Sequence, residues 1–276
     1  MKKRKIAGLL VWVSILGMFV GTKVQAAEQV KYLDGTASAL QYQYASGEVE
    51  ALQYQTYNLA TEKIRSIAKD YKKTKPMAVV LDLDETVLNN YGSEIGDYLD
   101  RQPYSADRWT AWVLKEKATI IPGADTFLSV AKSLGIQIYY ISNRSTAEQD
   151  ATIDNLTKLG LPNNDKEHVL VKTDNSSKQA RVDAVAKTNN IIMYVGDNLG
   201  DFPADFYKKL NNERKEIVEK NKDKFGTEYI ILPNATYGDW DNATFGYDYT
   251  KTDAQKIQAR IDALKTYNEQ EYIKAK

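Results

Sequence analysis

Acidic residues recur in this chain directly after short apolar runs. Asp82, Asp84, Glu85 and Thr86 follow Met77–Leu81, and Asp197, Asn198 and Asp201 follow Ile191–Gly196. Between them, Ser142, Asn143 and Arg144 follow Ile136–Ile141, and Lys178 opens a helical stretch after His168–Val171. This set suits the hydrolysis of a phosphate monoester. A carboxylate attacks phosphorus and carries the phosphoryl group until water removes it. The leaving oxygen needs a proton, and the charge on the phosphoryl oxygens needs cations and directed donors. Asp82, at a strand end, is placed to attack. Asp84, two residues on, is placed to give the leaving oxygen a proton and later to take one from water. Acid work needs a protonated Asp84, which neighbouring carboxylates would favour.

Several carboxylates around one phosphate repel it and each other unless a hard divalent cation sits among them. Mg2+ takes oxygen ligands and keeps waters and phosphate in its shell. Asp82, Asp197 and Asp201 are the expected side-chain ligands, with the backbone carbonyl of Asp84 as a fourth contact. Ser142 and backbone N–H groups near Asn143 are expected on the phosphoryl oxygens, and Lys178 as a point charge against phosphate and Asp82.

These groups need one scaffold to bring them together. The run before Asp82 is continuously apolar and β-branched, as in a strand buried on both faces. Strands are expected at 77–82, 136–141, 168–171, 191–195 and 229–232. Helices are expected at 123–134, 146–159, 177–188, 203–224 and 253–267. A further helix over 48–73 has Leu52, Leu59, Ile64, Ile67 and Tyr71 near one face and Pro76 beyond its end. The alternation implies an α/β fold, three-layer and Rossmann-like, with a mainly parallel sheet, and puts ligands beyond the carboxyl ends of its strands. Residues 90–120 break the alternation, are rich in Trp and Tyr, and read as a flap or partial cap. Tyr104, Trp109 and Trp112, together with Tyr237 from later in the chain, would form aromatic walls on which a nucleotide base would stack. His168, the only histidine, reads as structural.

The N-terminus carries Lys2–Lys5, then an apolar run from Ile6 to about Gly21, then Val24-Gln25-Ala26-Ala27. That is the three-part pattern of a secretory signal, with cleavage expected after Ala26 or Ala27. Residues 1–26 are thus a signal peptide and 27–276 a single domain, with cap elements at about 28–75, 90–120 and the C-terminal region. A secreted protein is expected, held at the cell surface if the signal stays uncut. Its sequence has no cysteine, which excludes disulfides, thiolate zinc sites and lipid attachment through cysteine. Lys plus Arg equals Asp plus Glu, at 37 each, so bulk charge supplies no attraction to nucleic acid polymers or anionic membranes. A hydrophobic fraction of 43% suffices for a packed core.

Val80-Leu-Asp-Leu-Asp-Glu-Thr-Val-Leu88 resembles the first motif of the haloacid dehalogenase (HAD) superfamily. Ile141-Ser-Asn-Arg144, Lys178 and Tyr194-Val-Gly-Asp-Asn-Leu-Gly-Asp-Phe202 resemble the second, third and fourth. Gln55-Thr-Tyr-Asn58, Ile121-Pro-Gly-Ala124, Ser176–Arg181, Leu232–Gly238 and Ile257–Ala263 extend the likeness to the bacterial class C acid phosphatases, including the lipoprotein 5′-nucleotidases. The resemblance implies an HAD-type sheet with a small helical cap, nucleophilic Asp82, acid/base Asp84, and Mg2+ on Asp82, Asp84, Asp197 and Asp201. It also implies hydrolysis of small phosphate monoesters at acidic pH, often including nucleoside 5′-monophosphates, by an enzyme that forms a homodimer. It suggests Tyr104 and Tyr237 as a clamp. The alternative is a non-catalytic phosphate- or nucleotide-binding protein on the same fold, whose mark would be a lost nucleophile; Asp82 and Asp84 are both present.

Overall fold

The computed structural model of the chain describes residues 35–203 and 205–271; the signal segment expected at 1–26 lies outside them. Five parallel strands form the main sheet: β1 (Met77–Leu81), β4 (Gln137–Ser145), β5 (Val169–Lys172), β6 (Asn190–Gly196) and β7 (Tyr229–Ile231). Their spatial order is β5-β4-β1-β6-β7. The chain thus builds outward from β1 to β5 on one side, then returns to lay β6 and β7 on the other. The reversal falls between β1 and β6, where an open α/β sheet leaves a crevice at its carboxyl edge.

Side chains of β1 alternate between two apolar layers, as its unbroken run of buried residues requires. Val79 and Leu81 join a large core with Ile138, Tyr140, Met193 and Val195. That core is covered by α2 (Gly47–Asp70), through Tyr57, Ala60 and Ile64, and by α5 (Ala124–Ser133), through Phe127, Leu128 and Ala131. Ala78 and Val80 point the other way, to Val182 and Val185 of α7 (Gln179–Thr188). A third cluster, Phe202, Phe206 and Tyr229, closes the β7 end. α6 (Gln149–Lys158) connects β4 to β5.

Four expectations need correction. α2 buries Val49, Gln53, Tyr57, Ala60 and Ile64, while Leu52 and Leu59 are exposed. The helix turns the Tyr57 face inward because the phenol donates to the Thr86 carbonyl at 2.6 Å, which lets a large polar-tipped ring be buried. α2, placed among the cap elements from the sequence, is therefore part of the main core and supports the Asp82 loop from below. Among the described residues of 203–224, only α8 (Asn211–Lys220) and one short turn after it are helical. Lys208 has φ of 53°, a left-handed conformation that no helix continues, and Phe206 is drawn into the third cluster. Residues 35–45, given no helix from sequence, form α1.

The flap is a closed insertion. β2 (Leu88–Asn89) pairs antiparallel with β3 (Thr119–Ile120), so the chain leaves and returns at one point. Between them lie α3 (Tyr91–Leu99) and α4 (Ala106–Val113). After β7 come α9 (Asp239–Asn242) and α10 (Asp253–Glu271). No helix among the described residues is long and apolar enough to cross a membrane.

Ile64 has no solvent exposure and sits between α2 and the sheet. Ile64→Ala is expected to destabilise the fold by about 2–5 kcal/mol, from lost burial plus the cavity left behind. Urea denaturation measures this; a change below about 1 kcal/mol would mean that the α2 face does not carry the core.

Candidate active site

The tips of β1 and β6 bring Asp82, Asp197 and Asp201 together. One carboxylate oxygen from each lies within 4.8 Å of the others. Asp82 is held at its strand end by its own N–H, which donates to the Val195 carbonyl at 2.9 Å. Asp197 follows β6 directly and accepts from Thr86 Oγ1 at 3.2 Å and Asn234 Nδ2 at 2.8 Å. Asp201 reaches back across the turn, its Oδ2 accepting the Asn198 N–H at 2.9 Å. Gly196 makes this return possible: a Cβ there would overlap the Asp201 carboxylate.

Lys178, at the start of α7, is buried and ion-pairs with Asp82 Oδ1 and, at 2.7 Å, with Asp201 Oδ1. With all three ionised, three carboxylates against one ammonium would leave two negative charges in excess. Burial, reinforced by Asp201 and Asp82, pushes the Asp197 carboxyl well above its ordinary range. Asp82 is raised too, because burial and the charges of Asp201 and Asp84 outweigh the pull of Lys178. Burial works to lower the Lys178 pKa, but Asp201 and Asp82 hold it above its usual value. The donor set is all oxygen and doubly negative in excess, so it fits a hard divalent cation.

Asp84 stands beside this cluster with different company. Arg144 Nη2 and Nε donate to its Oδ1 at 2.8 and 3.0 Å, Asn90 Nδ2 donates to Oδ1 at 3.0 Å, and Ser142 Oγ donates to Oδ2 at 3.3 Å. Carboxylates stand near it as expected, Asp82 and Glu85 among them, but its closest charged partner is a guanidinium. Next to it, Glu85 is fully buried in a left-handed conformation, φ 58°. It accepts from Tyr237 Oη, from Tyr44 Oη at 3.3 Å and from the Asn90 N–H at 2.9 Å. Burial, with repulsion from Asp84, pushes its carboxyl up to about 8.

The other expected residues divide. Ser142 is buried beside Asp84, its Oγ also accepting the Arg144 N–H at 3.1 Å. The Asn143 side chain turns away: its amide donates to the Ser176 carbonyl at 3.0 Å and accepts from Arg181 at 2.8 Å, so it ties two loops together. Tyr237 has its ring fixed through its hydroxyl on Glu85, whereas Tyr104 is 67% exposed. Trp112 donates to Asn90 Oδ1 at 2.9 Å, and Trp109 lies under the Arg144 guanidinium. His168 pairs with Asp165 and packs at a tilt against the Tyr139 ring, outside this cluster. Arg144, Asn90, Glu85, Arg181 and Asn234 carry structural weight at the site that the sequence reading left unassigned. Arg144 and Asn234 lay inside segments singled out for other residues; Asn90 carried no local signal.

Residues 19–240 match the family model of HAD superfamily subfamily IIIB, the acid phosphatases. The chain belongs to that family. Among solved structures it is similar to the class C acid phosphatase of Bacillus anthracis, with 39% identity and a TM-score of 0.79 over 83% of this chain and 96% of that one. The same Bacillus anthracis enzyme with tungstate bound gives 38% identity and a TM-score of 0.78, with the same coverage. The parallel sheet and its helices are therefore an HAD-type fold, and the chain is a phosphoric monoester hydrolase of the class C acid phosphatase type acting on small phosphate substrates. The non-catalytic alternative has no support in these likenesses.

Proposed function

We propose that this acid phosphatase is exported and hydrolyses phosphate monoesters, nucleoside 5′-monophosphates among them, through an aspartyl-phosphate on Asp82 with Mg2+ as cofactor. The observation that carries the reading is the meeting of Asp82, Asp197, Asp201 and Lys178 at the β1/β6 crevice. Export rests on the charged, apolar and small-residue pattern of the first 26 residues.

The Asp82 carboxylate attacks phosphorus, forming a phosphorus–oxygen bond as the ester oxygen departs. Asp84 gives its proton to that oxygen. Water then attacks the phosphoryl group while Asp84 takes the water's proton, releasing phosphate and restoring Asp82. Lys178 and Ser142 would bind phosphoryl oxygens. Asp82, Asp197, Asp201 and the Asp84 backbone carbonyl would hold the cation. When bound, it balances the cluster's excess charge and that of the phosphoryl oxygens. Tungstate in the Bacillus anthracis relative is a tetrahedral oxyanion, and here it is expected to compete with phosphate.

The test is a panel of phosphate esters assayed at acidic and neutral pH, with and without chelator. Turnover unaffected by chelator, or confined to diesters, would overturn the reading. Tyr104 gives a finer test of the substrate. Stacking on one base is worth about 1–3 kcal/mol. Tyr104→Ala is therefore expected to raise KM for a nucleoside 5′-monophosphate by about fivefold or more, leaving glycerol phosphate nearly unchanged. Equal changes on both esters would reject the clamp.

A further inference from the structure

Arg144 leaves β4 immediately after Ser142 and Asn143, and only 2% of it is exposed. Its donors are all directed into protein. Nε and Nη2 serve Asp84, Nη1 donates to Thr152 Oγ1 at 3.0 Å, and Nη2 also approaches Asn90 Oδ1 at 3.4 Å. The guanidinium carbon lies 5.6 Å from the Trp109 ring centroid. A buried cation this well satisfied has one geometry, and so does whatever it grips.

The two oxygens of Asp84 are treated differently. Oδ1 accepts from Arg144 Nη2, Arg144 Nε and Asn90 Nδ2, at 2.8, 3.0 and 3.0 Å. Oδ2 has only Ser142 Oγ and a longer approach of Arg144 Nε, both at 3.3 Å. Oδ1 is thus the gripped oxygen and Oδ2 the more loosely held one. We propose that Arg144 is a positioning residue: by pinning Oδ1 it fixes the orientation of the Asp84 carboxyl and leaves Oδ2 as the oxygen presented to the leaving group. This rests on the reading of Asp84 as acid and base.

The scaffold around the pair supports the assignment. Asn90 is itself held by the Glu85 carboxyl and by Trp112. Thr152 is anchored on the Glu148 carbonyl at 2.7 Å, and the Glu148 carboxyl binds the Ser145 N–H at 2.7 Å and Thr110 Oγ1 at 2.6 Å. Trp109, Thr110 and Trp112 all belong to α4, so docking of the flap and orientation of Asp84 share one set of contacts.

The experiment compares Arg144→Lys, Thr152→Val and Asp84→Asn in the full chain. Lysine keeps the buried charge but has no fork to grip one oxygen. Two esters are used: p-nitrophenyl phosphate, whose leaving oxygen departs without a proton, and glycerol phosphate, whose leaving oxygen needs one. kcat/KM reports the steps up to that departure. Arg144→Lys is expected to lower it about 100-fold on glycerol phosphate and about 10-fold or less on p-nitrophenyl phosphate, with inhibition by inorganic phosphate held within about threefold. Thr152→Val, nearly isosteric, should give a smaller loss with the same preference; it decides the matter if near-UV circular dichroism finds Arg144→Lys misfolded. Equal losses on both esters, weakened phosphate inhibition, or no loss would each overturn the positioning role. Asp84→Asn separates the two ideas. If it keeps full turnover of glycerol phosphate, the acid/base reading itself falls; if it loses turnover while Arg144→Lys does not, only the positioning role falls.

Discussion

Asp82→Asn is expected to lower kcat by at least about 10⁴-fold while leaving the folded structure intact, since removing a covalent nucleophile forfeits the pathway rather than one contact. The substitution is nearly isosteric. The backbone bond from Asp82 to Val195 stays, and Lys178 keeps its pair with Asp201. A carboxyl whose ionised form is disfavoured by burial and by Asp201 and Asp84 is replaced by a neutral amide, so metal-free stability at neutral and higher pH should hold or rise. Two measurements are needed: turnover of p-nitrophenyl phosphate with Mg2+, and thermal unfolding without it. Rapid acid quench after mixing with labelled substrate should trap phosphoenzyme in the native protein and none in the variant. Native-level activity in Asp82→Asn would reject the nucleophile. Loss of activity with loss of folding would show instead that Asp82 is chiefly a structural anchor.

The site was legible to the extent that its chemistry sits at strand ends. A buried parallel strand announces itself by continuous apolar residues, so polar groups just beyond it stand out; Asp82, Ser142 and Asp197 were found in this way. The sheet order then follows from chain reversal, which is why residues 96 and 115 positions apart along the chain, Asp82 with Lys178 and Asp82 with Asp197, meet at one crevice. What sequence did not reveal is how polar groups pair. Arg144 belongs to Asp84 and Asn143 to Arg181 because of loop geometry after β4, and no local spacing encodes that. The inward face of α2 was misread for a related reason. Leucines at 52 and 59 outweigh Tyr57 on any hydrophobic scale, yet a carbonyl at Thr86 makes the tyrosine the better buried residue. The helix expected from Pro203 failed on backbone conformation at Lys208, which its residue type does not disclose.

Chelation of divalent cations is expected to reduce turnover by about 10³-fold or more, and added Mg2+ should stabilise the protein more as pH rises. The sign follows from three buried carboxyls. Asp82 and Asp197 have pKa values raised above the ordinary 3.8, and Glu85 is raised from 4.5 to about 8. Each therefore holds its proton more tightly folded than unfolded. Their contribution to metal-free stability is complete below pH about 4 and is lost as pH climbs through the folded values. Without cation, Tm should fall between pH 5 and 8, and Glu85→Gln should flatten that slope. A cation needs Asp82, Asp197 and Asp201 ionised, so protons compete with it at low pH. At a hundred times its Kd a ligand adds about 2.7 kcal/mol, which for a domain of this size raises Tm by about 5–10 °C. The gain from Mg2+ should approach that value at pH 8 and shrink at pH 5. A gain independent of pH would place the cation away from these carboxylates, and full activity in chelator would remove it from the reaction.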